Sequence, residues 1–435
     1  MKIVLIGGGS FVFAPTVLED CIVKHRMEGE LVLVDLNLEA AAAMAGAGRA
    51  LARQHGVDLL VSETDNREEA LPGADFVILS AAPQGALRWK MDFDILKQFG
   101  LDDQARECGG LGGMLGAFRS IAMAMELARD MERLCPAALL LDVTNPMPRV
   151  VTAVARFSSV GVAGFCNIAH RSGQGYGLLP GLIGRKPHEV DIVTGGLNHF
   201  AWVLSMKDKQ SGADLLPELR SFVEHGDWSG LDEDLQRELD VMKRWLGQYG
   251  AVAAGAVDHH AEYLPVQPGI RYPQEPPYHG SAAERSLRLE ELRAIAAGTL
   301  DAKDSGIFRH GSWEHPVGLA LSLAAGSDGR LDILNVANGH AIQELPPERI
   351  VEVPVRVRGG KLEAEPLPEL PPALAEVIRQ LSDVHELVAQ AAVAGDRKLA
   401  RKAVDLDPAI EDKETAYAAL DRMLEAHADL LPAFA

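Results

Sequence analysis

The fold is decided by the stretch Lys2-Ile-Val-Leu-Ile-Gly-Gly-Gly-Ser10, in which a short apolar strand runs directly into three glycines. An amphipathic helix is predicted next, over residues 14–25, and a second apolar strand over residues 31–34 leads into Asp35. Consecutive glycines let backbone N–H groups approach a phosphate, and the N-terminus of the following helix carries partial positive charge. This order of strand, glycine turn, helix, strand and acidic residue is typical of a dinucleotide-binding unit.

The cofactor can be specified further from the same residues. We predict that the turn binds a pyrophosphate through Gly7, Gly8, Gly9 and Ser10. Asp35 is placed to accept hydrogen bonds from a ribose 2′-hydroxyl and to repel a 2′-phosphate, which favours NAD over NADP. Val12 stands where the third glycine of the fingerprint is usual, so a glycine-rich turn in another α/β protein is the alternative.

The first 165 residues alternate short apolar runs with amphipathic stretches, which is the pattern of a parallel sheet with crossover helices. Strands are predicted at 2–6, 31–34, 76–79, 139–143 and 161–165, and helices at 14–25, 38–55 and 119–134. We therefore expect an α/β fold, with a Rossmann-type doubly wound parallel sheet forming an NAD-binding domain over residues 1–165.

The pattern changes after residue 165, where connections become rich in glycine and proline. We expect a second, α+β domain over residues 166–435 that serves substrate binding, metal binding and oligomerisation. A strand is predicted at 351–357, and Pro354 within it suggests a sheet edge because proline cannot donate a ladder hydrogen bond. Helices are predicted at 373–394 and 414–428.

Composition excludes several classes of partner. The chain has 435 residues, is 47% hydrophobic and carries a formal charge of -20. Such a surface repels nucleic acid and anionic membranes, so a small-molecule substrate is expected. The four cysteines show no CxxC spacing, which fits a reducing compartment. No signal-length apolar segment precedes the first strand, so we expect a cytoplasmic protein.

Four further clusters carry residues with useful chemistry. They are Gly109-Gly-Leu-Gly-Gly113 leading to Arg119, Thr144-Asn-Pro-Met147, Gly164-Phe-Cys-Asn167, and Gly196-Leu-Asn-His199. Asn145 and Cys166 each follow a predicted strand, and ligands gather beyond the carboxyl ends of parallel strands. A cysteine thiolate and a neutral imidazole are suitable ligands for a divalent transition metal, although Cys166 and His199 are too far apart to form a local motif.

Taken together, these motifs resemble glycoside hydrolase family 4, the NAD-dependent and metal-dependent glycosidases. The resemblance extends over nearly the whole chain. Its motifs, in order, are Lys2 to Ser10, Glu107 with Gly110-Leu-Gly-Gly113 and Arg119, Thr144-Asn-Pro146, Cys166-Asn167, Leu197-Asn-His199, His259 with Glu262-Tyr263, Asn335 to Gly339, and Val351-Glu-Val-Pro354.

The resemblance implies a redox route to hydrolysis, outside the usual scheme of two carboxylates. In that family, NAD takes a hydride from the sugar C3 carbon, and the resulting ketone makes the C2 proton acidic. A base removes this proton, the group at C1 is eliminated, water adds, and the ketone is reduced again. A divalent metal, with Mn²⁺ expected, stabilises the developing enolate. The substrate would be a small-molecule glycoside, and the assembly a homodimer or homotetramer.

Site residues follow from the same resemblance. The metal ligands would be Cys166 and His199. The candidate catalytic residues are Asn145, which also maps to a cofactor-binding position, Tyr249, which is the candidate base, and Asp258. The candidate substrate-binding residues are Asn167, Arg119, Asn198 and His259.

The chain departs from the family pattern at two places. Asp258 replaces an arginine that faces substrate in members acting on phosphorylated sugars or uronic acids. Arg106-Glu-Cys108 replaces a Gln-Glu-Thr sequence before the glycine cluster. The sugar therefore stays open between neutral, phosphorylated, uronic and sulfonated glycosides. Arginine and lysine side chains that could bind an anionic sugar, or could simply be solvated, are Arg88, Lys90, Arg106, Arg119, Arg171 and Arg271.

Two other functions remain open from the sequence. A lactate or malate dehydrogenase-like enzyme also places Asn-Pro after a Rossmann strand, but its arginine-rich substrate motif and glycine-flanked histidine are not found after Asn145. A nucleotide-binding regulator without catalysis would suit the altered segment at Asp258. The retention of Cys166 and His199 favours an enzyme.

Overall fold

The computed structural model describes residues 1–166, 178–272, 282–308 and 315–434. The strands are β1 Lys2–Ile6, β2 Gly29–Val34, β3 Leu59–Thr64, β4 Phe76–Leu79, β5 Leu139–Asp142, β6 Val162–Gly164, β7 Val190–Leu197, β8 Phe200–Asp208, β9 Val252–Ala253, β10 Gly329–Ala337, β11 Ile350–Arg358 and β12 Lys361–Ala364. The helices are α1 Ala14–Glu19, α2 Leu38–His55, α3 Arg67–Ala70, α4 Gly85–Gln98, α5 Gly110–Leu134, α6 Met147–Phe157, α7 Leu179–Leu182, α8 Leu216–His225, α9 Glu233–Tyr249, α10 Val257–Ala261, α11 Ala282–Ala296, α12 Pro316–Ala324, α13 Pro372–Ala394, α14 Arg397–Leu406 and α15 Lys413–Ala426.

Six strands form a parallel sheet in the order β3-β2-β1-β4-β5-β6. This is the Rossmann strand order, in which a dinucleotide binds where the order reverses beside β1. The central strand β1 is apolar because its two faces are covered, and Ile3, Val4 and Leu5 are fully buried. The predicted α/β fold with a Rossmann-type sheet is confirmed.

The sheet continues without a break into the second half of the chain. β10 joins β6 through the pair Asn335 and Gly164, and β11, β7, β8 and β9 follow in antiparallel pairing, with β12 paired to β11. Helices α13, α14 and α15 contribute to the same apolar core as α5 and α6. The C-terminal helices therefore cover the parallel sheet, while the antiparallel strands extend it.

The expectation that Pro354 marks a sheet edge was wrong. Strand β11 lies between β10 and β7. The ladder with β10 shifts register between Leu331 and Leu334, opposite the proline. The missing N–H of Pro354 is tolerated because it coincides with this irregularity, so the proline marks a bulge rather than an edge.

Helix α5 is the longest in the described parts of the chain and begins nine residues earlier than predicted, at Gly110. The glycines that read as a turn form its first turns. They are needed because a Cβ at Gly113 would lie 2.4 Å from the carbonyl oxygen of Cys108. The length and composition of α5 would suffice for a membrane span, but 78% of its apolar window is buried inside the protein, as in a core helix.

Candidate active site

The glycine turn joins β1 to α1 and is packed too closely for side chains. A Cβ at Gly7, whose φ is +91°, would lie 2.0 Å from the carbonyl oxygen of Ser80. A Cβ at Gly8 would lie 2.6 Å from the Cβ of Leu33. The turn is thus fitted against the ends of β2 and β4, where the backbone can approach a ligand closely.

Asp35 closes this turn from the end of β2. One carboxylate oxygen accepts the backbone N–H of Gly9 at 2.9 Å, and the other accepts that of Asn37 at 2.9 Å. The side chain is partly exposed, so its remaining lone pairs can accept hydrogen bonds from a ligand. The geometry fits the predicted contact with a ribose.

Two hydrogen bonds fix the segment that follows β5. Beyond β4, the backbone N–H of Ala81 donates to the hydroxyl of Thr144 at 3.2 Å. The next residue, Asn145, donates its side-chain amide to a carboxylate oxygen of Glu107 at 3.0 Å. Asn145 is therefore tied to the segment that holds Cys108.

Cys166 and His199 come together as predicted, with Sγ 3.3 Å from Nε2. His199 occupies the two-residue turn between β7 and β8, where its φ of +61° is unusual for a residue other than glycine. Such backbone strain concentrates at functional sites. Burial, and then the nearby His259 and His260, hold the pKa of His199 well below its ordinary value. The imidazole is therefore neutral, as a metal ligand must be.

Two further donor atoms lie at this histidine. The thiol of Cys108, a ring nitrogen of His199 and a carboxylate oxygen of Glu262 all lie within 4.8 Å of one another. The backbone N–H of Cys108 donates to Oε2 of Glu262 at 2.6 Å, which fixes their relative position. Burial and then the neighbouring Glu107 raise the pKa of Glu262 to about 7. The chemistry of this donor set fits a divalent transition metal.

Sequence reasoning assigned no role to Cys108 or Glu262. The missed signal was a cysteine directly before the glycine cluster, where the family carries threonine. Only the tertiary structure shows that this thiol lies near His199, because the two residues are 91 positions apart in the chain. Contacts of such separation leave no trace in local periodicity.

Arg106 holds the segment that carries Glu262. Its buried guanidinium donates through Nη1 to the carbonyl oxygens of Ala261, Glu262 and Leu264, at 3.1, 2.8 and 2.7 Å. Its Nε also donates to the carbonyl of Asp103 at 2.7 Å. The side chain thus positions the metal-site segment, and its donors are engaged within the protein.

His259 and Asp258 lie at the edge of the site, in α10. The rings of His199 and His259 meet edge to face, with centroids 4.7 Å apart. Nδ1 of His259 lies 2.9 Å from a carboxylate oxygen of Asp258. Burial lowers the pKa of His259, but the hydrogen bond and charge of Asp258 outweigh it and the net shift is upward. The pair gives the site an ionisable hydrogen-bond donor.

Asn198 faces away from solvent, in a buried polar cluster. Its amide donates to Oε2 of Glu352 at 2.8 Å, and the amide of Asn335 donates to the same oxygen at 3.1 Å. Burial raises the pKa of Glu352 to about 7, against the opposing effect of the two amides. The cluster supports the turn that carries His199.

Two other predicted site residues, Arg119 and Tyr249, contact residues other than Cys166 and His199. Arg119 makes a buried two-point ion pair with Asp92, with distances of 3.2 and 2.6 Å. Tyr249 ends α9 and packs its ring against Trp202, with centroids 5.4 Å apart. Asn167 lies outside the described residues. A different tyrosine, Tyr263, follows Glu262 directly; burial and then Cys108 raise its pKa well above the ordinary value.

Sequence profiles of known families cover most of the chain. The profile "Family 4 glycosyl hydrolase" matches residues 2–173, and "Family 4 glycosyl hydrolase C-terminal domain" matches residues 194–410. The chain belongs to family 4 of the glycosyl hydrolases. It is therefore a glycoside hydrolase, and the resemblance drawn from its motifs is confirmed.

Curated relatives of this family 4 hydrolase differ in the sugar they are named for. An alpha-galactosidase of Bacillus subtilis (strain 168) is 25% identical, with 100% of this chain and 99% of the relative covered. An alpha-galacturonidase of Thermoanaerobacter italicus is 30% identical, with 61% of this chain and 60% of the relative covered. Sequence identity at this level is consistent with a shared family, but it does not specify the sugar on which this chain acts.

Solved structures share the fold over the full length. A 6-phospho-alpha-glucosidase from gut microorganisms in complex with NAD and Mn²⁺ has a TM-score of 0.79 at 22% identity, covering 99% of both chains. A 6-phospho-beta glucosidase from Thermotoga maritima with manganese, NAD⁺ and glucose-6-phosphate has a TM-score of 0.74 at 19% identity, again covering 99% of both. A malate dehydrogenase from Plasmodium falciparum reaches only 0.51 at 15% identity, over 90% of this chain and 98% of the enzyme.

Proposed function

We propose that this family 4 hydrolase requires NAD and a divalent metal ion and cleaves a glycosidic bond through transient oxidation of the sugar. The observation that carries the proposal is the contact of Cys166 with His199, 3.3 Å apart. Bound NAD would take up and return hydride at C3, and the ion would stabilise negative charge developing on the sugar.

The chain's own residues supply binding and orientation for this chemistry. The turn from Gly7 to Ser10 would hold the pyrophosphate, and Asp35 the ribose that lacks a 2′-phosphate. Asn145, fixed by Glu107 at 3.0 Å, would orient the reacting part of the cofactor. Cys166 and His199 would hold the ion, for which the manganese in two structural relatives makes Mn²⁺ a first candidate.

Proton transfer at C2 requires a base, and the structure offers two tyrosines. We retain Tyr249 as a candidate from the sequence. Its ring packs beside Trp202 in the apolar core. Tyr263 is the second candidate, because it follows Glu262 and its hydroxyl has no hydrogen-bond partner among the described residues. Because burial raises the pKa of this phenol, a nearby positive charge, such as that of the proposed metal ion, would have to lower it before the phenol could accept a substrate proton.

Recognition of an anionic sugar would need cations that are not already engaged. Among the arginines proposed from the sequence, Arg88 pairs with Asp429, Arg106 binds backbone carbonyls and Arg119 pairs with Asp92. Arg171 lies outside the described residues. Binding of an anionic sugar would therefore require cations other than these three arginines. A neutral galactoside or glucoside is an equally good candidate for the substrate.

The proposal is tested with a panel of aryl glycosides of matched leaving group, covering neutral, phosphorylated, uronic and sulfonated sugars in both anomers. Each would be assayed with and without NAD, and with and without divalent metal after dialysis against a chelator. We expect cleavage of one sugar class that requires both additions. Undiminished cleavage after removal of both would overturn the redox route, because direct acid and base hydrolysis needs neither. We also propose that the enzyme is cytoplasmic and forms a homodimer or a homotetramer. Light scattering after gel filtration measures the oligomeric state.

A further inference from the structure

We propose that Glu352 is a positioning residue of the metal site, whose buried carboxyl group sets the geometry in which Cys166 and His199 meet. The inference rests on the proposed function, because it explains how the two proposed ligands of the ion are held. Glu352 acts through the amide side chains of Asn198 and Asn335 and not as a ligand itself.

The first argument is a row of four residues that crosses the sheet. In β11, Glu352 lies opposite Asn335 of β10 on one side and opposite Gly196 of β7 on the other. Asn335 in turn lies opposite Gly164 of β6. This cross-sheet row therefore runs from the last strand of the parallel sheet to the antiparallel strand that leads into the His199 turn, with Glu352 and Asn335 in its middle.

The two proposed ligands follow the two ends of the cross-sheet row. Cys166 comes two residues after Gly164, and His199 comes three residues after Gly196. β6 joins β10 through one residue pair, β7 joins β11 through one residue pair, and both pairs belong to the row. A single antiparallel pair supplies at most two backbone hydrogen bonds. The distance between the ligands therefore depends on two short joints in the sheet.

The second argument is that one oxygen atom of Glu352 connects these joints. Oε2 accepts the amide of Asn335 at 3.1 Å and the amide of Asn198 at 2.8 Å. Asn335 is the residue of β10 that meets β6, and Asn198 directly precedes His199. All three polar side chains are buried, and hydrogen bonds shielded from water are stronger than exposed ones. The carboxyl group thus ties the joint beside Cys166 to the turn that carries the histidine.

The third argument is that His199 has no hydrogen bond of its own to orient its ring. Nε2 faces Cys166, while Nδ1 is buried and has no hydrogen-bond partner among the described residues. In most metal sites the outer ring nitrogen donates to a carboxylate, a carbonyl or water, which fixes the ring. Here the backbone of the turn has the larger share in this task, although its φ of +61° at His199 is costly. The bond from Asn198 to Glu352 holds the preceding residue of that turn in place.

The fourth argument is the energetic cost of a carboxyl group at this position. Burial raises the pKa of Glu352 to about 7. Its second oxygen, Oε1, and the amide oxygens of Asn198 and Asn335 have no hydrogen-bond partner in the described parts of the chain. An apolar side chain would avoid these costs but could bind neither amide. The cluster therefore favours a defined geometry over maximum stability.

The test removes the two hydrogen bonds from the full-length protein in different ways. Glu352→Ala deletes the acceptor, and Asn198→Ala deletes one donor. Glu352→Gln is the conservative variant, because its amide oxygen can still accept from both asparagines. Glu365→Ala is the matched control, since Glu365 also connects β10 and β11, by accepting from Arg330 and Arg356, but does so four or five residues along the strands from the cross-sheet row.

Four measurements are made on each protein after its metal has been removed by a chelator and dialysis. Titration calorimetry gives the affinity for Mn²⁺ alone. The absorption of the Co²⁺-loaded protein reports the thiolate ligand and the geometry around the ion. Unfolding in denaturant gives the stability, and titration with NAD in the absence of metal shows whether the Rossmann half of the sheet is intact. The first two readouts need neither cofactor nor substrate.

We expect Glu352→Ala and Asn198→Ala each to lower Mn²⁺ affinity by about 10-fold to 100-fold, the usual loss when an outer partner of a metal ligand is removed. The Co²⁺ absorption should change in shape, while NAD affinity should equal that of the wild type. Combining the two alanine changes should add little, because both remove the same hydrogen bond. Glu352→Gln should restore the wild-type affinity, and Glu365→Ala should lose stability but keep the metal.

Several results would overturn the inference while leaving the proposed function intact. One is a folded Glu352→Ala that binds Mn²⁺ as tightly as the wild type. Another is an equal loss in Glu352→Gln, which would make charge the cause, or in Glu365→Ala, which would make lower stability the cause. If Glu352→Ala does not fold, Asn198→Ala and Glu352→Gln decide by the same criteria. A folded wild type that binds neither Mn²⁺ nor Co²⁺ would overturn the proposed function as well.

Discussion

Sγ of Cys166 lies 3.3 Å from Nε2 of His199, although the two residues are 33 positions apart in the chain. The first follows β6 and the second occupies the turn between β7 and β8, so the shared sheet brings them together. The contact brings the two proposed metal ligands together. It also connects the Rossmann half of the sheet with its antiparallel extension.

Replacement of Cys166 by serine is expected to weaken metal binding by about 10-fold to 100-fold, because a hydroxyl is a poor substitute for a thiolate ligand. Metal content after dialysis against equal free ion, measured by mass spectrometry, checks this. The control variant Cys135→Ser should retain the metal, since Cys135 is buried at the end of α5. An unchanged metal content in Cys166→Ser would refute this ligand assignment.

Substitution of Gly8 by alanine should weaken NAD binding and destabilise the turn by about 1 to 3 kcal/mol, the usual cost of overpacking. The new Cβ would lie 2.6 Å from that of Leu33 and 2.8 Å from its Cα. A matched control is Gly247→Ala in α9, where a Cβ has open space. That change should stabilise the protein by about 0.5 to 1 kcal/mol. Thermal unfolding with and without NAD gives both values, and equal behaviour of the two variants would contradict the account of the turn.

Replacement of Asp35 by asparagine should reduce the preference for NAD over NADP by about 10-fold, equivalent to about 1.4 kcal/mol. Asparagine keeps an acceptor for the N–H of Gly9 but removes the charge that repels a 2′-phosphate. Asp35→Ala removes both, so it should also lower the affinity for NAD. Titration calorimetry with both nucleotides measures the ratio. If the ratio is the same in all three proteins, Asp35 does not contact the ribose.

Glu352 should make stability fall as the pH rises through neutrality. Burial raises its pKa from the ordinary 4.5 to about 7, so the folded protein holds a proton that the unfolded chain has released. This contribution is complete below pH 4.5 and is lost by the time the pH passes about 7, a total of about 3 kcal/mol. In Glu352→Gln, which cannot ionise, the free energy of unfolding should lose this slope. Denaturant unfolding of both proteins between pH 5 and pH 8 measures this difference. The same pH dependence in both proteins would contradict the role of Glu352.

The two candidate bases can be separated by phenylalanine variants. If Tyr263 removes the C2 proton, Tyr263→Phe should lower turnover by about 10² to 10⁴-fold, the usual contribution of a general base. Tyr249→Phe should then affect stability more than turnover, because Tyr249 packs against Trp202 in the core. The comparison uses kcat on the best aryl glycoside and its C2-deuterated form. The reverse pattern would restore Tyr249 as the base.

Much of the parallel sheet could be predicted because buried parallel strands are continuously apolar. β1 and β4 have the predicted bounds, and β5 differs by one residue. Strand β3 was missed because it lies at the sheet edge and its second half, Ser62-Glu-Thr64, is polar. The helix predicted at 14–25 divides into α1 and a π-helical segment, Asp20–Lys24. Hydrophobic periodicity does not distinguish these two helical geometries.

The candidate site could also be predicted only in part. Residues that follow directly on a strand, such as Asn145 and Cys166, could be found because strand ends converge at one edge of a parallel sheet. Arg119 stays a prediction, and its ion pair with Asp92 could not be foreseen because it depends on the packing of α4 against α5. Cys108 and Glu262 required the tertiary structure, because their segments are far apart in the chain and meet only when the protein folds, through the hydrogen bond of Cys108 to Glu262 and the close approach at Gly109.

The most direct test of the central claim is hydrolysis of the best aryl glycoside by protein freed of nucleotide and metal. Product release would be followed before and after NAD and a divalent ion are added back, singly and together. The account predicts that cleavage returns only with both, with no net conversion of NAD to NADH. Full cleavage by the stripped protein would contradict it.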